Sequence, residues 1–142
     1  SWDQRHTVNA TVTYFSNGWG GSIIAQYGSG QPYTPRRSED ITSLLTNSEV
    51  KPSTINVDLR LHRELKIGNL NTTIFLRVFN LFDIKNELGV YDDTGRAGFT
   101  TDEARLRKTG VKEIVNTIKD WFTNPQYYSE PRRIELGFII DF

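Results

Sequence analysis

The chain has 142 residues, and its 17 Lys and Arg balance its 17 Asp and Glu, so charge gives no reason to expect a nucleic-acid partner. The absence of Cys excludes a disulfide-stapled domain, a thiolate metal site and a Cys nucleophile. Because there is also no Met, we expect a piece of a longer or processed protein. The longest apolar stretches have three residues, too few for a membrane helix or a signal peptide.

Apolar and polar residues alternate in five segments, each close to the ~9 to 11 residues of a tilted membrane strand. We predict strands over about 5–15, 20–29, 53–64, 70–82 and 132–142. The third segment alternates most cleanly. Its residues fall on two faces, one with Ile55, Val57, Leu59 and Leu61 and the other with Asn56, Asp58, Arg60 and His62.

Short and long connections between the predicted strands alternate along the chain. Tight Gly-containing turns are expected at Ser16–Gly18 and Lys66–Asn69, and external loops at about 33–52 and 83–131. Outer-membrane barrels have this asymmetry, with short turns at one end and long loops at the other. A soluble antiparallel sandwich could show the same lengths, so both interpretations stay open at this point.

The second long connection is predicted to contain a helix. Thr100 and Glu103 fit a capping box, and Gly110 is expected to divide the helical stretch. Apolar residues follow at spacings of three and four, at Val111, Ile114, Val115, Ile118 and Trp121/Phe122. This stripe favours packing of the loop on itself or on a barrel mouth over a lid for a partner or substrate.

Two patterns favour lipid over a protein core as the partner of the apolar rows. The opposite rows are strongly polar, which suits a wide lumen, and aromatic residues cluster near strand ends, as in interfacial girdles. We therefore predict a set of lumen-lining side chains, which comprises Asn56, Asp58, Arg60, His62 and Glu135. For His62, lining a lumen is favoured over binding a metal because it lies beside Arg60 in a polar row.

The final eight residues resemble the terminal assembly signal strand of bacterial outer-membrane barrels. Such a strand alternates polar and apolar residues and ends on an aromatic. The matching positions here are Glu135, Gly137, Ile140 and Phe142. An exposed edge strand can be recognised through main-chain pairing and outward apolar side chains, which is the physical reason for the pattern.

Several short segments resemble the closing strands of TonB-dependent outer-membrane receptors. They are Asp-Gln-Arg-His at 3–6, Gly-Gln-Pro-Tyr-Thr at 30–34, Val-Phe-Asn-Leu-Phe-Asp at 78–83 and Tyr-Ser-Glu-Pro-Arg-Arg at 128–133. The stretch Val-Tyr-Asp-Asp-Thr-Gly-Arg at 90–96 is similar to receptors that carry an N-terminal carboxypeptidase-regulatory-like domain.

The resemblance implies an all-β fold, a transmembrane antiparallel β-barrel of about 22 strands, to which residues 1–142 contribute the last five. It implies a bacterial outer-membrane location and TonB-driven import of a nutrient ligand such as a siderophore, glycan or peptide. The implied partners are outer-membrane lipids with lipopolysaccharide, the barrel-assembly machinery and, through regions outside this sequence, the TonB complex. The alternatives are a structural or adhesive barrel without import and a soluble all-β binding domain.

No catalytic residue, metal site or cofactor is predicted, and the protein is not expected to be an enzyme. Asp92-Asp93 with Thr94-Gly95 lacks the spacing of a calcium loop, so a plain turn is favoured. Gly18, Gly20 and Gly21 precede a strand rather than a helix and do not form a phosphate-binding loop. Arg132 and Arg133 are expected at the outer rim, where they are candidates for contact with lipopolysaccharide phosphates.

Overall fold

The computed structural model describes residues 3–36, 46–110 and 117–141. The chain divides into two compact units, here named the strand unit and the loop unit. The strand unit comprises Thr7–Tyr27, Ile55–Lys85 and Glu130–Phe142. The loop unit comprises Ser1–His6, Gly28–Thr54 and Asn86–Ser129.

Seven strands lie in the described part of the chain: β1 Thr7–Ser16, β2 Trp19–Gly28, β3 Pro32–Tyr33, β4 Glu49–Val50, β5 Thr54–Ile67, β6 Leu70–Phe79 and β7 Arg133–Asp141. Five of them form one sheet in the order β1-β2-β5-β6-β7, while β3 and β4 form a separate ribbon. The all-β prediction is confirmed, and no closed barrel is formed by the described strands.

Two-residue turns connect β1 to β2 and β5 to β6. Asn17 and Gly18 have φ values of 47° and 74°, and such paired positive φ angles match the twist of a tight hairpin. Gly68 has a φ of 64° in the second turn. The two predicted turns are therefore found, with the long connections following the other ends of the strands.

Strand bounds differ from the prediction most at the ends of β5 and β6, and β5 continues three residues past its predicted end, to Ile67. The predicted strand continued to residue 82, but β6 ends at Phe79. Asn80 has a φ of 52°, in the left-handed region, and this conformation terminates the extended backbone. The β3–β4 ribbon was not predicted, because strands of two residues have too few positions to show alternation.

The strand register places the apolar rows on one face. Leu59 pairs with Val78, and Val78 pairs with Ile134, in antiparallel ladders. A Cβ on Gly21 would meet Leu61, which extends this face to β2. The register also assigns the residues of β6 to the two faces of the sheet. Its apolar-face residues are Ile74, Leu76 and Val78.

Few side chains of the apolar face are buried. In the described ranges, the buried apolar residues are Val78, Ala97 and Ile118, and only Val78 belongs to the sheet. By contrast, Val12 and Leu136 are 70% and 76% exposed. An uncovered apolar surface across several strands is unusual for a water-soluble monomer and indicates an interaction surface.

The connection 83–131 contains the predicted helical structure. Helix α1 spans Thr101–Lys108, helix α2 spans Ile118–Trp121, and a single 3-10 turn covers Pro125–Tyr127. No helix in the described ranges is long and apolar enough to span a membrane.

The ends of these helices agree with the sequence only in part. Thr100 caps α1 as predicted, with its hydroxyl accepting from Asp102 N at 3.2 Å. Glu103 binds Arg107 at 2.9 Å, whereas the capping box that is formed belongs to Thr117 and Asp120 at α2. The predicted apolar residues Val111, Ile114 and Val115 lie outside the described residues.

Candidate functional site: the polar face of the sheet

The structure brings the predicted lumen-lining residues onto one face of the strand unit, opposite the apolar rows. In the ladder from β5 to β7, Arg60 pairs with Arg77 and Arg77 pairs with Glu135. Asn56, Asp58 and His62 alternate with the apolar residues of β5 in the same way as Arg60. We refer to this surface as the polar face.

The Asp58 side chain is hydrogen-bonded to the backbone as well as partly exposed to solvent. Its Oδ1 accepts a hydrogen bond of 2.9 Å from Asn56 Nδ2 and one of 3.0 Å from the backbone N–H of Asn80. Asn80 is 6% exposed, so a lost bond would leave a buried donor without compensation. Two of the predicted side chains, Asn56 and Asp58, therefore stabilise the chain reversal after β6.

This reversal also holds the chain that leads into β7. Asn80 Nδ2 donates to the carbonyl oxygens of Ile84 and Glu130, both at 3.0 Å, and Asn80 Oδ1 accepts from Ile84 N at 2.9 Å. Asp83 Oδ1 accepts from the backbone N–H of Arg132 at 2.8 Å. We call this arrangement of Asn80 and Asp83 on the main chain of 130–132 the β7 clamp.

The charged side chains across from Arg60 on β6 and β7 include Arg77, Arg133 and Glu135. Glu135 is the carboxylate shared by two arginines, with Arg133 Nε at 3.3 Å and Arg77 Nη1 at 3.9 Å. Arg77 also stacks over Phe75, 4.6 Å from its ring centroid. Among the described residues, the Arg60 side chain makes no hydrogen bond or ion pair.

Two glycines on the polar face make space for aromatic rings. A Cβ on Gly20 would collide with His62 and would lie 2.6 Å from Phe15 Cε1. The Phe15 and His62 rings are in contact, with centroids 5.4 Å apart. On β7, a Cβ on Gly137 would collide with the Phe75 ring. His62 thus packs in an aromatic row.

Gly20, Phe15 and Phe75 were not predicted as parts of this row. Their positions in the strand alternation place them on the polar face, which is the signal that could have identified them. Their cross-strand contacts depend on register, and the sequence alone did not provide that register for strands joined by long connections.

The two candidate rim arginines differ in their surroundings. The backbone N–H of Arg132 is held by the β7 clamp. The Arg133 side chain stacks 4.5 Å from the Phe79 ring centroid and pairs with Glu135, so it belongs to the polar face. The lipopolysaccharide contact predicted for both arginines stays a prediction.

The residues of the predicted assembly signal strand fall on both faces of β7, which is an edge strand of the described sheet. Glu135 and Gly137 lie on the polar face, whereas Ile140 pairs with Thr72 on the apolar face. Phe142 lies outside the described residues.

The loop unit contains a partly buried ion pair. Arg96 donates to Glu87 through Nε at 3.0 Å and through Nη2 at 2.6 Å, and the Ala97 N–H adds a bond of 2.6 Å. The hydrogen bonds from Arg96 are the largest cause of a lowered pKa at Glu87; burial opposes them and the Ala97 N–H reinforces them. The bonds fix the turn that contains Arg96.

Asp92 and Asp93 share Arg36 as an ion-pair partner, with Asp93 3.8 Å from its Nη2, and Asp93 has further hydrogen bonds. Asp93 Oδ2 accepts from the Thr101 backbone N–H at 2.6 Å and from the Thr100 hydroxyl at 2.8 Å. Burial raises the pKa of Asp93, but the hydrogen bonds from Thr101 and Thr100 together outweigh it, so the net pKa shift is downward. Asp92 pairs with Arg36 at 3.4 Å. These contacts fit the predicted turn.

The remaining segments of the resemblance also make local contacts in the loop unit. Gln4 Nε2 donates to Ser29 O at 3.0 Å, and Tyr33 OH donates to Glu49 at 2.5 Å across the β3–β4 ribbon. A Cβ on Gly95 would collide with the Tyr33 hydroxyl, so this glycine allows the ribbon to approach.

A half-open cleft of about 390 Å³ lies in the loop unit. Its size is within the ~300 to 1,000 Å³ range of small-molecule sites. Its lining includes Arg5, His6, Ser29, Pro32, Asn47 and Val50. The cleft offers both polar and apolar contacts, but no group within it points to a particular ligand.

Across the described ranges, no group of three or more His, Cys, Asp or Glu side chains is arranged to hold a metal ion. The comparisons with known proteins identify no relative: no family model, curated protein or solved structure matches the chain. The two faces of the sheet are therefore the features that bear on function.

Proposed function

We propose that the chain is part of a TonB-dependent outer-membrane receptor and forms a section of its barrel wall. In this proposal the apolar face contacts lipid and the polar face lines the lumen. The loop unit belongs to the outer surface, where ligand first binds. The resemblance of the segments at 78–83 and 128–133 supports the choice of receptor class.

One observation carries the proposal. The sheet has an apolar face that extends over five strands and is largely exposed, opposite a face with charged side chains. A soluble sandwich would bury the apolar face against a second sheet. In a membrane barrel, lipid covers that face and water or a plug covers the other.

Neighbouring residues on β1 provide a test. Val12 is 70% exposed and follows the apolar alternation, whereas Thr11 points to the opposite face. In water, Arg at either exposed position should change stability by less than about 0.5 kcal/mol. On the lipid face, Arg costs about 2–4 kcal/mol near the bilayer midplane.

We expect Val12→Arg in the full-length protein to reduce the outer-membrane fraction that shows heat-dependent gel mobility. Thr11→Arg should leave that fraction close to the parent level. Equal behaviour of the two variants, together with recovery of the parent in the detergent-free soluble fraction, would favour a soluble all-β domain.

A structural or adhesive barrel is the second candidate. Phe99 and Trp121 of the loop unit are 56% and 73% exposed, and such aromatic side chains suit a surface-binding loop. Measuring ligand accumulation with and without the TonB protein separates the two functions. Binding to cells that does not depend on TonB, with no accumulation, would support the adhesive candidate.

A further inference from the structure

The register of β5 and β6 places two arginines directly opposite each other. Arg60 and Arg77 are Cα partners in the antiparallel ladder and lie on the polar face. The Cβ atoms of such partners are about 4.5–5.5 Å apart, and like charges at this separation are destabilising. Stable placement of both guanidinium groups therefore calls for a compensating negative charge.

The described residues supply only part of that charge. Glu135 lies 3.9 Å from Arg77 but is closer to Arg133, at 3.3 Å. Asp58 and His62 flank Arg60 along β5. The Asp58 carboxylate accepts hydrogen bonds from Asn56 and Asn80. The Arg60 side chain is exposed and has no hydrogen-bond or ion-pair partner in the described ranges.

We propose that Arg60 and Arg77 form a binding site for a small oxyanion, a phosphate or carboxylate group. A planar guanidinium presents several N–H donors in a fixed fork that matches the oxygens of such groups. Two forks side by side can each donate to a different oxygen of one anion. Bound there, the anion removes the repulsion between the two cations.

In the proposed receptor, this site would bind a phosphate or carboxylate group of a ligand that enters the lumen. In this respect the inference rests on the proposed function. The arginine pair itself is a property of the sheet and does not require lipid on the opposite face. Membrane fractionation tests the proposed function, whereas anion binding tests the site, so the two can fail separately.

The experiment measures thermal unfolding of the purified full-length protein in sodium phosphate, sodium acetate and sodium chloride at matched ionic strength. Phosphate should raise the melting temperature over chloride by about 2–4 °C, because it binds only the folded state. An equal effect of acetate would show that a carboxylate is accepted, and a smaller effect would show preference for phosphate.

Arg60→Gln should abolish the phosphate-dependent shift. Arg63→Gln is the matched control, because Arg63 pairs with Ile74 on the apolar face and stacks on Trp19, and it should retain the full shift. If Arg60→Gln does not fold, Arg60→Lys keeps the charge without the fork and should give a smaller shift. A parent without a phosphate shift, or an unchanged shift in Arg60→Gln or Arg60→Lys, overturns the proposal.

Discussion

The side-chain amide of Asn80 donates a hydrogen bond to the carbonyl oxygen of Glu130, 3.0 Å away and 50 positions further along the chain. Three residues after Asn80, Asp83 accepts from the backbone N–H of Arg132. The two segments on which the receptor resemblance depends most are therefore hydrogen-bonded partners. The side chains of Asn80 and Asp83 determine where β7 begins beside β6.

Asn80→Ala should destabilise the protein by about 2–4 kcal/mol, because it leaves several buried partners unsatisfied and puts Ala at a positive φ. The urea midpoint of the full-length protein measures this change. Asn71→Ala is the control, since Asn71 is exposed near the start of β6 and should have little effect. Similar midpoints for the two variants would show that the β7 clamp contributes little.

Gly137→Val should cost about 1–3 kcal/mol, because its side chain would occupy the space of the Phe75 ring. The double variant Gly137→Val/Phe75→Ala should lose less than the sum of the two single changes. Urea midpoints of all four proteins give the coupling. Strict additivity would indicate that ring and glycine act independently.

Glu87→Gln should weaken the loop unit near neutral pH and reduce its sensitivity to acid. The pKa of Glu87 is lower in the folded state, so its contribution is fully present above the unfolded pKa, about 4.3, and is lost as pH falls through the folded pKa. Hydrogen exchange of the Ala97 region, corrected for the intrinsic rate at each pH, reports this opening.

The parent should lose protection between pH 5 and pH 3 by more than the Glu87→Gln variant does. Glu130→Gln provides a control, because the Glu130 side chain is 85% exposed and has only an ion pair of 3.9 Å. Identical acid responses of the parent and Glu87→Gln would show that Glu87 does not contribute to the loss of protection.

Deletion of Phe142 should lower the amount of folded protein in the outer membrane more than it lowers synthesis. The expectation comes from the resemblance of 135–142 to an assembly signal strand, in which an aromatic residue follows the alternating positions. Heat-dependent gel mobility measures folding, and Phe142→Tyr is the control that keeps an aromatic ring. Unimpaired folding after deletion would show that β7 does not depend on this residue for assembly.

Strand positions and faces could be predicted because they depend on local alternation. Leu59 and Arg60 fall on opposite faces in any antiparallel sheet, whatever their neighbours are. The cap at Thr100 was also predictable, since a threonine hydroxyl acts within one helical turn. These features need no knowledge of distant parts of the chain.

Contacts between distant segments were not predictable from the same patterns. The pairing of Arg60 with Arg77 needs the register of β5 and β6, and the role of Asp58 needs the left-handed turn at Asn80. The alternation marked Asp58 only as polar. Its hydrogen bond to a backbone N–H depends on a reversal that begins 22 residues later.

The β7 clamp binds main-chain atoms, the carbonyl oxygen of Glu130 and the N–H of Arg132. Replacing the side chain at either position leaves both atoms in place. The start of the last strand is thus specified from the opposite segment, and residues 130 and 132 can change their charge while strand register is retained. Surface chemistry and strand alignment are consequently encoded in different stretches of the sequence.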